Sequence, residues 1–139
     1  MSKEKFYIDQ EVRVTDINYG QHLGMTQLHG MAHNARCACL RAIGLTELDV
    51  GGVGVIVSES NIKFSKECFM GDMLRFIVDF EIISKVQFKC IISVFDMKSN
   101  ENVAKIEDKM ICYDYSRRRP SAIPEGFKSI MSAGQNASN

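Results

Sequence analysis

The second half of the chain alternates apolar and polar residues through four segments separated by short turns. In the clearest segment, residues 73–83, every second residue is apolar. Such alternation predicts strands with one buried face, and strands joined by short turns must pair antiparallel. The turns contain Gly71-Asp72, Ser84-Lys85 and residues 99–102, and the predicted strands are 53–64, 73–83, 86–97 and 103–115.

A strand and one long helix precede these four strands. Residues 6–15 alternate in the same way, and residues 24–43 carry one apolar stripe at the helical repeat, with Gly44 as the stop. The stripe consists mostly of small residues, four alanines and a cysteine, so the helix can approach a sheet closely. The sequence therefore predicts an α+β fold in which one long central helix covers a five-stranded antiparallel sheet.

The opposite face of this sheet also carries apolar residues, which predicts that a second copy covers it. An apolar face without cover favours association, and most such assemblies are symmetric dimers. The residues opposite the main alternation are Ile77, Ile83, Ile91, Phe95 and Met97.

Length and composition narrow the class of protein. We expect one domain over residues 1–139, with a core at about 6–127 and a disordered tail at 132–139, which is small and polar. Seventeen basic and seventeen acidic residues cancel, which argues against a nucleic-acid partner held by bulk positive charge. Without a signal-like start or a long apolar run, we expect a cytoplasmic protein that does not contact membranes. Five cysteines without a Cys-x-x-Cys pair favour reduced thiols.

The stretch 15–25, between the first strand and the helix, concentrates the polar chemistry of the chain. It holds a carboxylate at Asp16, a carboxamide at Asn18, an imidazole at His22 and glycines at 20 and 24. Polar side chains and bare backbone at the start of a helix are suited to ligand binding and carbonyl chemistry. The sequence therefore predicts a functional site in this loop.

Five stretches together resemble the 4-hydroxybenzoyl-CoA thioesterase-like acyl-thioester hydrolases, which have the hot-dog fold. The resemblance covers roughly residues 6–127. The stretches are Asp-Ile-Asn-Tyr-Gly-Gln-His-Leu-Gly-Met at 16–25, Asn-Ala-Arg at 34–36, Gly-Val-Gly-Val-Ile at 52–56, Phe64 followed by Gly-Asp at 71–72, and Pro-Glu-Gly-Phe at 124–127.

This resemblance implies an acyl-CoA or acyl-carrier-protein thioesterase. It implies a homodimer or homotetramer, with a continuous sheet across two subunits and sites at their interface. The thioester is the substrate, and no cofactor is implied. The thioester carbonyl would point at the start of the helix, where the backbone N–H groups of Gly24 and Met25 would polarise it.

The resemblance also suggests substrate-binding residues, each with a plainer alternative. Gly20 would let a bulky thioester approach the backbone, or it makes a turn. Tyr19 would shield the acyl chain, or it packs. Arg117, Arg118 and Arg119 would bind the CoA phosphates, or they form a solvated charge run.

Asn18 departs from the family pattern, because many relatives have their catalytic aspartate at this position. An amide cannot act as a nucleophile or general base, although it can orient a water molecule. Three residues are candidates to replace the aspartate. Asp16 could instead cap a turn, His22 could instead fix the loop, and Glu59 could instead form a surface ion pair.

The sequence leaves two alternatives to a thioesterase open. A hot-dog enoyl-CoA hydratase would use Asp16 and His22 as its acid/base pair, although their spacing is one residue too long. A non-catalytic acyl-thioester binding domain would explain Asn18. His29 and His33 lie one helical turn apart, but the sequence shows no third ligand, so we predict no metal site.

Overall fold

The computed structural model describes residues 5–137 and forms one antiparallel sheet with a long helix packed against it. Among the described residues, no helix is long and apolar enough to cross a membrane. The elements are β1 (Phe6–Glu11), a 3₁₀ turn (Val14–Asp16), α1 (Met25–Ala42), β2 (Gly54–Phe64), β3 (Met73–Ile82), β4 (Gln87–Asp96), β5 (Asn102–Asp114), β6 (Arg119–Pro120) and α2 (Glu125–Ala137).

The strands lie in the order β1-β3-β4-β5-β2, and the two-residue β6 pairs with the end of β5. The order follows from the short connections predicted above, because β3, β4 and β5 succeed one another along the chain. β2 pairs with β5 along its whole length, from Gly54 opposite Tyr113 to Phe64 opposite Ala104. Within the described part of the chain, the other edge of β2 has no strand beside it.

The core lies between α1 and the sheet. Burial in β4 alternates as predicted, and its buried residues are Phe88, Cys90, Ile92 and Val94. On α1 most of the predicted stripe is buried, although Ala42 near its end is exposed. Two residues outside the stripe are buried as well, Leu40 and Arg36, and Arg36 is only 4% exposed. A burial stripe of this kind supplies most of a helix's stability in a small protein.

The first strand ends earlier than the sequence predicts. β1 stops at Glu11, and Val14 is 66% exposed rather than facing the core. The backbone N–H of Val12 donates to the carbonyl of Asp72 at 2.8 Å, after which the chain turns into the 3₁₀ segment. A turn that is stabilised by hydrogen bonds thus overrides the alternating pattern.

The C-terminal helix α2 was not predicted, and it extends into the tail that the sequence predicts at 132–139. It continues through Ala137, while residues 138–139 lie outside the described range. Phe127 anchors it against Phe80 and Phe88, with ring centroids 5.9 Å and 5.2 Å away in edge-to-face contacts. Aromatic contacts of this geometry add to the burial of the rings, so they hold the helix on the sheet.

Candidate active site at the start of the first helix

The polar loop between β1 and α1 is a miniature hairpin. Ile17 and Leu23 form a β-bridge, and the N–H of Asn18 donates to the carbonyl of His22 at 3.0 Å. The turn requires a left-handed backbone at Gln21, whose φ is 70°. Leu23 is buried and its N–H donates to the carbonyl of Cys68 at 2.8 Å. The hairpin is therefore pinned at its base and presents its polar side chains in a defined geometry.

Asn18 and His22 flank Gly20 at the tip of this hairpin. The N–H of Gly20 donates to Asn18 Oδ1 at 2.9 Å. A Cβ on Gly20 would lie 3.1 Å from both Asn18 Oδ1 and His22 Nε2. Glycine therefore does more here than make a turn, since any side chain would crowd the two groups. The approach of a substrate to this backbone remains a prediction.

The ring of His22 is oriented by the backbone. Its Nδ1 lies 3.4 Å from the carbonyl oxygen of Leu23, which can accept a hydrogen bond only if Nδ1 carries the proton. The other nitrogen, Nε2, then has an open lone pair, and it lies on the same side of Gly20 as Asn18 Oδ1, since each would be 3.1 Å from a Cβ on that glycine. This tautomer, assigned from the geometry, is the one that a general base requires.

The start of α1 presents backbone N–H groups without a side-chain cap. The N-cap residue is Gly24, and the first turn contains no acidic residue. The N–H of Gly24 itself donates to the carbonyl of Asp16 at 3.2 Å, and that of Leu28 donates to the carbonyl of Gly24 at 2.9 Å. Of the two predicted donors, Gly24 is thus already engaged, whereas Met25 lies where helices leave N–H groups without intrahelical acceptors.

Gln27 is a residue of this region that sequence reasoning missed. Its side chain folds back over the helix start, so that a Cβ on Gly24 would collide with Gln27 Oε1. The amide of Asn18 lies on the same side, since its Nδ2 would be 3.5 Å from that Cβ. A methyl group at position 24 would therefore displace the flexible end of Gln27, whereas its contact with Asn18 would be an ordinary one. A single sequence gives no signal for this, because the approach depends on the path of the loop.

The hairpin, the helix start and the end of β2 enclose a cleft of about 380 Å³. It brings together three of the predicted site residues with the segment that follows β2. Its lining consists of Asn18, His22, Leu23, Met25, Phe64, Ser65, Lys66 and Glu67. A larger cavity of about 430 Å³ lies between α1, α2, β1 and β3, but its lining is mostly apolar and contains neither the hairpin residues nor the helix start.

Asp16 does not face this cleft. Its carboxylate accepts a hydrogen bond from the backbone N–H of Arg13 at 2.8 Å and lies 3.6 Å from Arg13 Nε. The side chain borders a separate cleft on the other side of the loop, together with Gln10 and Asn34. Of the two roles considered for Asp16, the geometry matches the turn-capping one.

Glu59 is also remote from the cleft. It lies beside a bulge in β2, with a side chain 64% exposed and 3.4 Å from Lys109 Nζ. Phe64 is five positions further along the strand, a distance of about 16 Å in an extended chain. Tyr19 is fully exposed at the tip of the hairpin and contacts no apolar partner within the described residues.

The basic triplet lies at the other end of the sheet from the cleft. Arg117 and Arg118 form the turn between β5 and β6, where Asp114 accepts hydrogen bonds from the N–H groups of Ser116 and Arg117. The end of β5 next to the triplet pairs with the start of β2 at Gly54. From Gly54 to Phe64, at the other end of β2, the distance along the strand is about 33 Å. One chain therefore does not bring these arginines to its own cleft.

A buried polar network on α1 was not foreseen from the sequence. Arg36 donates to Asp108 at 2.6 Å and to Glu47 at 2.7 Å, and Glu47 also contacts His33 at 2.7 Å. Ser60 joins this network by donating to Asp108 and contacting His29. No buried side-chain N or O atom in the described part of the chain lacks a hydrogen-bond partner. The sequence did contain one signal for this network, an arginine beside a stripe of small apolar residues. An arginine that is buried there needs an acidic partner.

Comparison with solved structures identifies the fold. A 1,4-dihydroxy-2-naphthoyl-CoA thioesterase from Synechocystis is 18% identical, with 97% of this chain and 98% of that chain covered and a TM-score of 0.83. A hypothetical protein from Staphylococcus aureus, solved in complex with CoA, is 17% identical over 98% of this chain and 87% of that chain, with a TM-score of 0.86. A probable thioesterase from Escherichia coli is 13% identical over 91% and 96%, with a TM-score of 0.79.

These likenesses confirm the hot-dog fold predicted from the sequence, at identities that indicate the fold alone. A search of curated proteins finds no matching sequence. The family model of the thioesterase-like superfamily, by contrast, matches residues 12–131, which include the hairpin, α1 and all of the sheet after β1. The chain therefore belongs to the thioesterase-like superfamily.

Proposed function

We propose that this protein hydrolyses an acyl-CoA thioester to the free acid and CoA, in the cleft at the start of α1. The observation that carries the proposal is the convergence of His22, Asn18 and the uncapped N-terminus of α1 on one cleft. Hydrolysis needs a polarised carbonyl and an activated water, and this arrangement offers a group for each. Family membership and the CoA complex of the Staphylococcus aureus protein support the substrate class.

In the proposed reaction the thioester oxygen accepts a hydrogen bond from the N–H of Met25. The amide of Asn18 orients a water molecule, and His22 Nε2 takes its proton as the oxygen attacks the carbonyl carbon. The tetrahedral intermediate then collapses, the carbon–sulfur bond breaks, and the departing CoA sulfur receives the proton from His22. The positive end of the helix dipole stabilises the negative oxygen of the intermediate.

A second copy of the chain would complete this site. The unpaired edge of β2 is available to pair antiparallel with the same edge of another copy. Such pairing sets the start of one β2 beside the end of the other, near Phe64 and the cleft. The exposed Arg117–Arg119 turn of the second copy would then lie near the cleft, where guanidinium groups could bind the phosphates of CoA.

The test is the release of free thiol from short, long and aromatic acyl-CoAs. We expect turnover by the wild-type protein and a loss of about 100-fold or more in kcat for His22→Gln. Asn18→Asp should raise kcat, because it supplies the carboxylate that many relatives carry. His29→Gln is the matched control, since it removes another histidine from the same region without touching the cleft. Equal rates for wild type and His22→Gln would refute the assigned role.

Light scattering tests the second copy separately. A protein that is monomeric at micromolar concentration would contradict a site shared between two chains. Charge reversal at Arg117–Arg119 should raise KM for CoA esters in a salt-dependent manner, with kcat little changed. An unchanged KM would remove the arginines from the proposal.

A non-catalytic acyl-thioester binding domain is the second candidate, and Asn18 favours it. Saturable binding of acyl-CoA without thiol release from any substrate would establish that function instead. The hydratase alternative has less support, because Asp16 and His22 border different clefts and so do not form an acid/base pair.

A further inference from the structure

A histidine, a cysteine and a glutamate converge on the C-terminal half of α1, outside the proposed active site. His33 and Cys37 are one helical turn apart, and Glu47 reaches them from the segment that follows the helix. Their ligand atoms all lie within 4.8 Å of one another. We propose that these three residues bind a divalent transition-metal ion of the zinc type.

The donor set has the chemistry that zinc prefers. Imidazole nitrogen, thiolate sulfur and carboxylate oxygen are the three ligand types of protein zinc sites, at about 2.0–2.3 Å from the metal. Ligand atoms around a tetrahedral ion are therefore about 3.3–3.8 Å apart. The observed separations lie on both sides of this range, since His33 Nε2 and Glu47 Oε1 are hydrogen-bonded at 2.7 Å and all three ligand atoms lie within 4.8 Å of one another. Binding an ion would replace the hydrogen bond between His33 and Glu47. The cysteine thiolate distinguishes the set from one suited to magnesium or calcium.

Glu47 is held in place by groups behind it. Its second oxygen, Oε2, accepts a hydrogen bond from Arg36 Nε at 2.7 Å, and Arg36 is in turn fixed by Asp108 at 2.6 Å. The Arg36 side chain is only 5% exposed. Partners of this kind orient the ligands of metal sites and are needed for tight binding. Oε1 of Glu47 is thereby directed towards His33 and away from the core.

The charges of the cluster favour a cation. With the thiol and the imidazole neutral, Arg36 compensates only one of the two carboxylates, Asp108 and Glu47, so one negative charge remains. A divalent ion that displaces the thiol proton adds one net positive charge and makes the cluster neutral. Arg41, which borders the same cleft, opposes binding, so the affinity depends on the three ligands together.

A fourth coordination position would be open. The side chain of His33 is 53% exposed, and a cleft of about 180 Å³ adjoins Cys37 and Glu47. Three protein ligands with space for a water molecule are typical of zinc sites that are not purely structural. The proposal departs from the prediction of no metal site, because His33 pairs with Cys37 and Glu47 rather than with His29, which contacts Ser60.

Titration of the chelator-treated full chain with Co²⁺ tests the site. The wild-type protein should bind one equivalent, with d–d bands of tetrahedral intensity and a thiolate-to-cobalt charge-transfer band that Zn²⁺ abolishes. Cys37→Ser should lose the charge-transfer band, and His33→Ala should weaken Co²⁺ binding at least tenfold. His29→Ala is the control and should bind as the wild type does, while circular dichroism confirms that each variant is folded.

Two results would overturn the proposal. The first is the absence of a charge-transfer band from the wild-type protein, and the second is its persistence in Cys37→Ser. Because these readouts do not involve thioester hydrolysis, they are independent of the proposed function. We expect chelator treatment to leave thiol release unchanged, since none of the three ligands borders the cleft at the start of α1.

Discussion

Replacing Arg36 by methionine should destabilise the protein strongly, and the structure shows where the cost arises. Asp108 is 1% exposed, and the variant removes the guanidinium that lies 2.6 Å from its Oδ2. The energetic cost at Glu47 would be smaller, because its side chain is 25% exposed and keeps its contact with His33. Removal of one partner from a buried ion pair costs about 3–5 kcal/mol. Against a typical total of about 5–15 kcal/mol, this is a large fraction.

The assay is urea unfolding followed by far-ultraviolet circular dichroism, with the slope m compared between variants. We expect the midpoint to fall and m to stay constant, as it does when stability changes but the surface exposed on unfolding does not. In a thermal scan the loss corresponds to a decrease in Tm of about 10–15 °C for a chain of this size. The double variant R36M/D108N tests the cause, because it also removes the charge that R36M leaves unpaired.

R36M/D108N should therefore be more stable than R36M alone. If the double variant is no more stable, or if R36M loses less than about 1 kcal/mol, then an uncompensated charge at Asp108 is not the reason for the effect. The single variant D108N separates the loss of the Arg36–Asp108 ion pair from the effect of an unpaired charge at Asp108, since Arg36 keeps its contact with Glu47 in this variant.

Two further predictions concern a glycine of the active site and the buried carboxylate of Asp96. Gly24→Ala should lower kcat/KM at least tenfold without unfolding the protein, because the methyl group displaces Gln27. Gly30→Ala is the control: Gly30 has open space around it, so this variant should leave activity unchanged and add up to about 1 kcal/mol of stability. The hydrogen bond from Lys66, with a backbone N–H, holds the pKa of Asp96 below its ordinary value, so its stabilising effect is present above about pH 4 and is lost as the pH falls through the folded-state pKa. Lys66→Met should flatten this acid dependence in urea titrations at a series of pH values, and an unchanged slope would exclude the pair as its source.

Much of the fold could be predicted because it depends on local patterns. The strands β2 to β5 and the helix α1 begin and end within about two residues of their predicted bounds, since one-sided burial imposes a period of two on strands and of 3.6 on helices. The pattern failed where local hydrogen bonds replaced it, at the turn after β1. It also failed at α2, where the helical spacing of the buried Phe127 and Met131 was present in the sequence but was not used, and where Phe127 packs on Phe80 and Phe88.

The sequence predicted the region of the candidate site, but not which of its side chains meet in one cleft. The sequence by itself identified the loop at 15–25, because polar residues and glycines before a helix indicate backbone donors and side chains available to a ligand. It could not decide which side chains point the same way. A local capping contact turned Asp16 towards Arg13. Tertiary structure brought His22 and Asn18 to the end of β2 and joined His33 to Glu47. The physical reason is that spacing along a chain determines the face of an element, whereas the meeting of two groups depends on how the elements pack.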